Sequence, residues 1–218
     1  MSEADNVRAM ARGQLITLEG GEGAGKSTQA ARLAARLRAR DLAVTLTREP
    51  GGSPGAEAIR ELLVKGDTDR WSATAETLLM YAARDDHIER RVAPALARGD
   101  VVVCDRFADS TRAYQGAGGG ASATLIGALE GEMRARCWPD LTLIFDIEPA
   151  AGLARALGRA GAETRFEAKG PAFHERLRAA FLAIAKAEPE RCTIIDAGQD
   201  VDLVEQAVWR AVDGRLRR

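Results

Sequence analysis

Three cysteines, Cys104, Cys137 and Cys192, are too few, too scattered and odd in number for a disulfide framework or a Cys-x-x-Cys metal site. A reducing cytoplasm is the expected compartment. Long apolar runs are missing too. The longest spans residues 179–185, whereas about 20 residues are needed to cross a bilayer. No apolar segment follows Met1 as a secretory signal would require, so neither export nor a membrane partner is expected. An excess of one charge is also lacking. Lys plus Arg is 31 and Asp plus Glu is 32, a net charge of −1, which argues against a mainly electrostatic nucleic-acid binder. Lysine itself is rare: only Lys26, Lys65, Lys169 and Lys186 accompany the abundant arginines. Composition bias accounts for most of the arginine. A lysine at a motif position therefore carries more information than an arginine does.

The 218 residues are 46% hydrophobic and 29% charged, the balance of a globular chain with one domain's worth of core. Residues 1–13 are polar and unpatterned and read as a flexible tail. Residues 14–218 read as one domain. Strands are expected at 14–19, 43–47, 101–105, 141–147 and 192–196. Helices are expected at 27–40, 56–64, 74–96, 149–157, 173–187 and 201–212, with another ending near 136. In the first helix Ala30, Leu33, Ala34 and Leu37 repeat at i, i+3, i+4, i+7 and share one face. Residues 116–120 (GAGGG) read as a flexible loop, and the stretch around 155–170 as a loop or lid. Alternating strands and helices imply an α/β fold with a mainly parallel sheet. In such sheets ligands bind at the carboxyl ends of the strands.

Residues 20–27, GGEGAGKS, fit G-x-x-x-x-G-K-[ST] between an expected strand and an expected helix. Glycines let backbone N–H groups turn inward around phosphate oxygens, and the helix N-terminus adds positive potential. A nucleotide-phosphate site is expected over Gly20, Gly21, Glu22, Gly23, Ala24, Gly25, Lys26, Ser27 and Thr28. Lys26 would reach the β- and γ-phosphates and Ser27 would ligate Mg²⁺. Asp105, at the end of the buried run Val101–Asp105, is the expected acid on the metal side. The chain has no Asn-Lys-x-Asp guanine reader and no ABC-type signature, which favours a kinase of a small molecule.

Three further segments narrow the class: TREPGG at residues 47–52, YAAR at 81–84 and DRFADSTRAYQG at 105–116. With the phosphate-binding loop they closely resemble the bacterial thymidylate kinases, over residues 14–197. The resemblance implies the P-loop nucleoside monophosphate kinase fold, a five-stranded parallel sheet flanked by helices with a short lid. It also implies transfer of the γ-phosphoryl of ATP to dTMP, giving dTDP and ADP, with Mg²⁺. A homodimer is implied as well.

By motif position, the resemblance assigns Arg106 and Arg60 to the dTMP phosphate. Arg84 and Thr111 fall to the thymine edge, and Ser110 to the acceptor site. Tyr114 would lie against the deoxyribose, where a 2′-hydroxyl would clash. Gln115 would lie near the base, and Glu49 and Pro50 would line the acceptor pocket. Glu22 would lie near the acceptor sugar and the transferring phosphate. Arg48 is read equally as a salt bridge that holds its own loop. The phosphate-binding loop carries no arginine, so the resemblance points to the lid-arginine style. Arg159 and Arg165 are the candidates for the transition state, with Lys26 and Arg106 as the other catalytic groups. Arg155 is assigned to the adenine end and Glu167 to the metal or the lid–acceptor contact.

Two positions depart from the family pattern. Met80 stands where many relatives carry a phenylalanine that stacks on thymine; its sulfur can pack on a base. Thr164 stands where the lid motif usually has Asp. Three rival readings are a kinase for another monophosphate (dUMP, CMP or AMP), a P-loop regulatory ATPase and a nucleic-acid binder with an incidental P-loop, the last disfavoured by the net charge.

Overall fold

Five short runs dominated by Val, Ile, Leu and Thr form one sheet: β1 (Leu15–Gly20), β2 (Val44–Arg48), β3 (Val101–Asp105), β4 (Leu141–Asp146) and β5 (Cys192–Asp196). They come from a computed structural model that describes residues 12–158 and 164–216. The spatial order is β2-β3-β1-β4-β5, and every neighbouring pair is parallel. A parallel sheet needs cover on both faces. That is why β1 and β4 read as nearly unbroken apolar runs and why every residue of β1 is buried.

The cover is helical: α1 (Lys26–Arg38), α2 (Pro54–Val64), α3 (Ala73–His87), α4 (Ala93–Ala97), α5 (Ala108–Thr111), α6 (Ala123–Arg136), α7 (Pro149–Leu157), α8 (Thr164–Glu167), α9 (Pro171–Ala187) and α10 (Val201–Asp213). Side chains alternate along a strand, so β1 divides its residues between two cores. Ile16 and Leu18 join Val103, Leu143 and Phe145 against Leu33 and Leu37 of α1 and Val208 and Trp209 of α10. Leu15 joins Val102 and Cys104 against Tyr81, Ile88 and Met133 on the other face. A third cluster seats α9 through Leu177 and Phe181 against Ile144. Each such side chain contributes about 1.5–3 kcal/mol by leaving water. The starts of the helices are locally encoded. Pro54 opens α2, and the hydroxyls of Ser72 and Ser122 accept from Ala75 N–H and Leu125 N–H at 3.2 and 3.4 Å. All three cysteines are free and buried.

The structure differs from the sequence expectation in four places. Gly13 is buried and bonded to Leu96 O at 2.9 Å, so the ordered chain begins before residue 14. A Cβ there would sit 2.0 Å from Asp100 O, so only glycine fits. The rest of the expected tail, residues 1–11, lies outside the described residues. The helix expected over 74–96 is interrupted by a π-helical turn, Ile88–Val92. The loop expected at 116–120 is not a loop at its start: a π-helical segment, Arg112–Gly118, continues α5. Burial of Ala113, Tyr114 and Gln115 outweighs the low helix preference of the glycines. Within the expected lid, residues 164–167 form α8; residues 159–163 lie outside the described residues.

Candidate active site

Gly20 ends β1, and the loop after it delivers the chain to the N-terminus of α1. Gly23 and Gly25 adopt positive φ of 66° and 82°, which glycine tolerates without strain. A Cβ on Gly23 would lie 1.8 Å from Gly152 O in α7, so backbone packs directly on backbone there. No acidic residue stands in the first turn of α1, leaving its positive end free for an anion. Lys26 Nζ is 2.6 Å from Gly21 O. Burial, and then the charge of Arg106, push the Lys26 ammonium down to about 8. Ser27 Oγ donates to Asp105 Oδ2 at 2.5 Å. The other oxygen, Asp105 Oδ1, is buried and has no hydrogen-bond partner among the described residues.

The loop after β3 builds the opposite wall. Arg106 holds a left-handed backbone, φ 69°, that turns its guanidinium toward the phosphate-binding loop. It donates to Gly20 O at 2.9 Å and to Glu22 Oε1 at 3.0 Å. It also stacks on the Tyr114 ring, 4.8 Å from the centroid. Tyr114 donates its hydroxyl to the same Glu22 oxygen at 2.5 Å. Burial opposes the Glu22 charge, but Arg106 and Lys26 overrule it, and the carboxyl is held below its usual range. Beneath this turn, Glu19 accepts from Phe107 N–H at 2.8 Å and from Ser110 Oγ at 2.6 Å. Arg191 forks onto both oxygens of Asp109 at 2.7 and 2.9 Å and fixes α5 from behind.

The deep end of the cleft is a buried chain of polar groups. Arg84 Nε donates to Glu49 Oε2 at 2.7 Å, and Nη2 donates to Phe107 O and Thr111 Oγ1, each at 3.0 Å. Burial works against the Arg84 charge, and Glu49 more than restores it. His87 Nδ1 meets Glu49 Oε1 at 2.9 Å, and His87 Nε2 meets Thr47 Oγ1 at 2.7 Å. Arg84 Nη1 is buried without a hydrogen-bond partner among the described residues. Such an orphan is costly unless a ligand meets it.

Together these walls enclose a cleft of about 370 Å³. Of the residues singled out in the sequence, Glu22, Gly23, Ala24, Gly25, Lys26, Ser27 and Asp105 border its phosphate end. Glu49, Pro50, Arg60, Met80, Arg84, Arg106, Ser110, Thr111, Tyr114, Gln115 and Glu167 border the rest. Arg60 also donates to Pro50 O at 2.6 Å. Arg48 borders the cleft and forks onto Glu57, whose Oε1 accepts from Gly52 N–H. The loop-holding alternative for Arg48 is therefore the contact it makes.

Gly20, Gly21 and Thr28 are not among the residues that line the cleft. Arg155 reaches the β5–α10 connection, donating to Ala197 O at 2.9 Å and Gly198 O at 3.3 Å. Arg165 does not border the cleft; it is buried on the far side of α8 against three carbonyls and Glu76, because those acceptors sit where α2 runs into α3. Arg159 lies outside the described residues.

Sequence reasoning gave no role to Glu19, His87, Phe107, Phe166 or Gly152. Glu19 is an acid closing an apolar strand, and His87 follows Arg84 at i+3 on one helix face. Phe107 and Phe166 border the cleft; Phe107 stands within the motif at residues 105–116 and Phe166 directly after Arg165. Gly152 is visible only through its contact with the phosphate-binding loop.

A family model described as Thymidylate kinase matches residues 18–208. The chain is 62% identical to a thymidylate kinase of Caulobacter vibrioides over 207 residues, covering 95% of this chain and 99% of the relative. It is 53% identical to one of Ruegeria pomeroyi over 206 residues, covering 94% and 97%. A crystal structure of thymidylate kinase from Ehrlichia chaffeensis superposes with a TM-score of 0.75 at 32% identity, covering 92% of this chain and 99% of that one.

Proposed function

The chain belongs to the thymidylate kinase family and is an ATP-dependent dTMP kinase, and from that premise we propose how its residues divide the transfer. The supporting observation is one cleft in which a phosphate-binding loop faces Arg106 and, beyond it, a buried Arg84 with an unused donor. The acceptor is a phosphate oxygen whose second pKa is about 6, so it is already largely anionic at neutral pH and needs no catalytic base. The work is to align two polyanions and offset the charge between them.

Lys26 and the amides of residues 21–27 take the β- and γ-phosphates of ATP. Arg155 stands by the β5–α10 connection, on the side assigned to the adenine. Arg106 is the arginine between donor and acceptor phosphates, with Arg60 on the acceptor side. Ser27 and Asp105 would hold Mg²⁺. The unpartnered Asp105 Oδ1 fits that role, and among the described residues no group of three or more His, Cys, Asp or Glu could bind a metal unaided. Mg²⁺ commonly takes one or two carboxylates and completes its shell with phosphates and water. Bound there, it would neutralise charge on the transferring phosphoryl group. Glu167 approaches from α8 as a metal or acceptor contact. Arg84 Nη1 and Thr111 read the thymine carbonyl edge, with Gln115 near the base and Met80 packing on it. Tyr114, tied to Glu22, lies against the deoxyribose.

The enzyme acts in the cytoplasm as a homodimer on this reading. Free buried cysteines support the compartment. No helix among the described residues is long and apolar enough to cross a membrane. An outward Leu78 on α3, 47% exposed, supports the dimer.

The test is ADP release with ATP and Mg²⁺, offering dTMP, dUMP, ribosyl TMP, dCMP, AMP or no acceptor. Strong turnover with dTMP, less with dUMP and little with the ribosyl form is the expected result. Equal use of the ribosyl form would overturn the role given to Tyr114. Equal use of dCMP would overturn the thymine assignment of Arg84 and Thr111.

A further inference from the structure

Glu76 sits in the first turn of α3, outside the cleft lining, with both carboxylate oxygens engaged in opposite directions. Oε1 accepts from Gln115 Nε2 at 2.9 Å, and Oε2 pairs with Arg165 Nη2 at 2.5 Å. All three residues are nearly sealed from solvent: Glu76 is 7% exposed, Gln115 1% and Arg165 3%. A buried carboxylate survives only with such partners. A carboxylate also only accepts. Glu76 therefore fixes which way the Gln115 amide faces, leaving Oε1 and the second N–H of that amide for other partners.

At the other end, the Arg165 fork closes three backbone acceptors. Nη1 bonds Leu63 O at 2.9 Å, Nε bonds Asp67 O at 3.0 Å and Nη2 bonds Thr68 O at 3.4 Å. These contacts seat α8 on the α2–α3 connection. The two residues after Arg165 border the cleft. Phe166 meets the Tyr114 ring edge-on at 5.5 Å.

We propose that Glu76 is a positioning residue that couples the acceptor-base pocket to the seat of helix α8. Gln115 and Arg165 share one carboxylate, so an acceptor that orders Gln115 also orders Arg165. Through Arg165 it sets Phe166 and Glu167 against the cleft. The inference rests on the reading of this cleft as the dTMP site.

The test uses steady-state kinetics of the full chain. Arg165→Ala is expected to raise the KM for dTMP about tenfold while leaving that for ATP nearly unchanged, although Arg165 borders no part of the cleft. Glu76→Gln keeps the size but cannot accept from both sides, and it should do the same. The double variant should be no worse than the worse single one. Arg165→Lys keeps the charge beside Glu76 but loses the fork onto the three carbonyls, so it should recover only part of the affinity. In hydrogen exchange, dTMP alone should protect residues 164–168 in the wild type and not in Glu76→Gln. An unchanged dTMP KM in Arg165→Ala, or single effects that multiply in full, would overturn the coupling. Should Arg165→Ala not fold, the Glu76→Gln kinetics and exchange decide. Thr111→Ala separates the two claims, because Thr111 touches the cleft outside this chain of contacts. If it leaves dTMP KM unchanged, the pocket assignment fails. If it raises KM while the Arg165 and Glu76 variants do not, only the coupling fails.

Discussion

Glu19 has no exposed surface, yet it is a carboxylate on a strand otherwise lined by Leu15 and Thr17 on the same face. Burial, then the nearby charge of Asp109, raise its carboxyl from 4.5 to about 7. Its hydrogen bonds to Phe107 N–H and Ser110 pull the other way and hold the turn that presents Arg106. A carboxyl raised on folding favours the folded state while it is protonated. That contribution is complete below pH 4.5 and is lost as pH climbs through about 7. Glu19→Gln keeps the shape without the charge. Its melting temperature relative to the wild type is therefore expected to rise from pH 5 to pH 8. Thermal unfolding of both proteins at pH 5, 6.5 and 8 checks this; a constant gap would mean that Glu19 does not titrate in this range.

The phosphate-binding loop gets its shape from a neighbouring helix as well as from its own glycines. Gly152 of α7 lies against Glu22, and a Cβ there would come within 2.5 Å of Glu22 O. Backbone cannot swing aside as a side-chain tip can. Gly152→Ala should displace the loop from α7 and carry Glu22 and the phosphate amides with it. Misplacement of about 1 Å can cost on the order of 100-fold in rate. A loss of kcat of roughly that size, with α/β circular dichroism retained, is the expected outcome. Activity within twofold of wild type would show that the loop does not need this contact.

Three apolar clusters among the described residues clamp the sheet from both faces, and a few large apolar side chains stay exposed. Leu78 is one of them, alongside Leu62, Leu157, Ile194, Val201 and Leu203, and has Ala82 exposed one turn further along α3. Exposed apolar surface of this kind is a common basis for association. Light scattering is expected to report a dimer for the wild type and a monomer for Leu78→Glu. The charged side chain would be stranded in the contact. A monomeric wild type, or a dimeric variant, would place the interface elsewhere or remove it.

Local chemistry made much of this protein legible from its residues. The strand runs are apolar because a parallel sheet has no wet face. The glycines and Lys26 mark the phosphate loop because few other residues can shape or fill it. The motif at residues 105–116 carried the acceptor side, and its side chains border the cleft together. Contacts between residues distant in the chain were decided by the tertiary structure. Packing made Arg112–Gly118 helical despite its glycines. Carbonyls at Leu63, Asp67 and Thr68 turned Arg165 away from the cleft. Glu19 became a neutral-range acid only when β1 was enclosed. Periodicity and motif spacing describe which residues share a face. Which buried donor meets which acceptor depends on where the rest of the chain has come to rest.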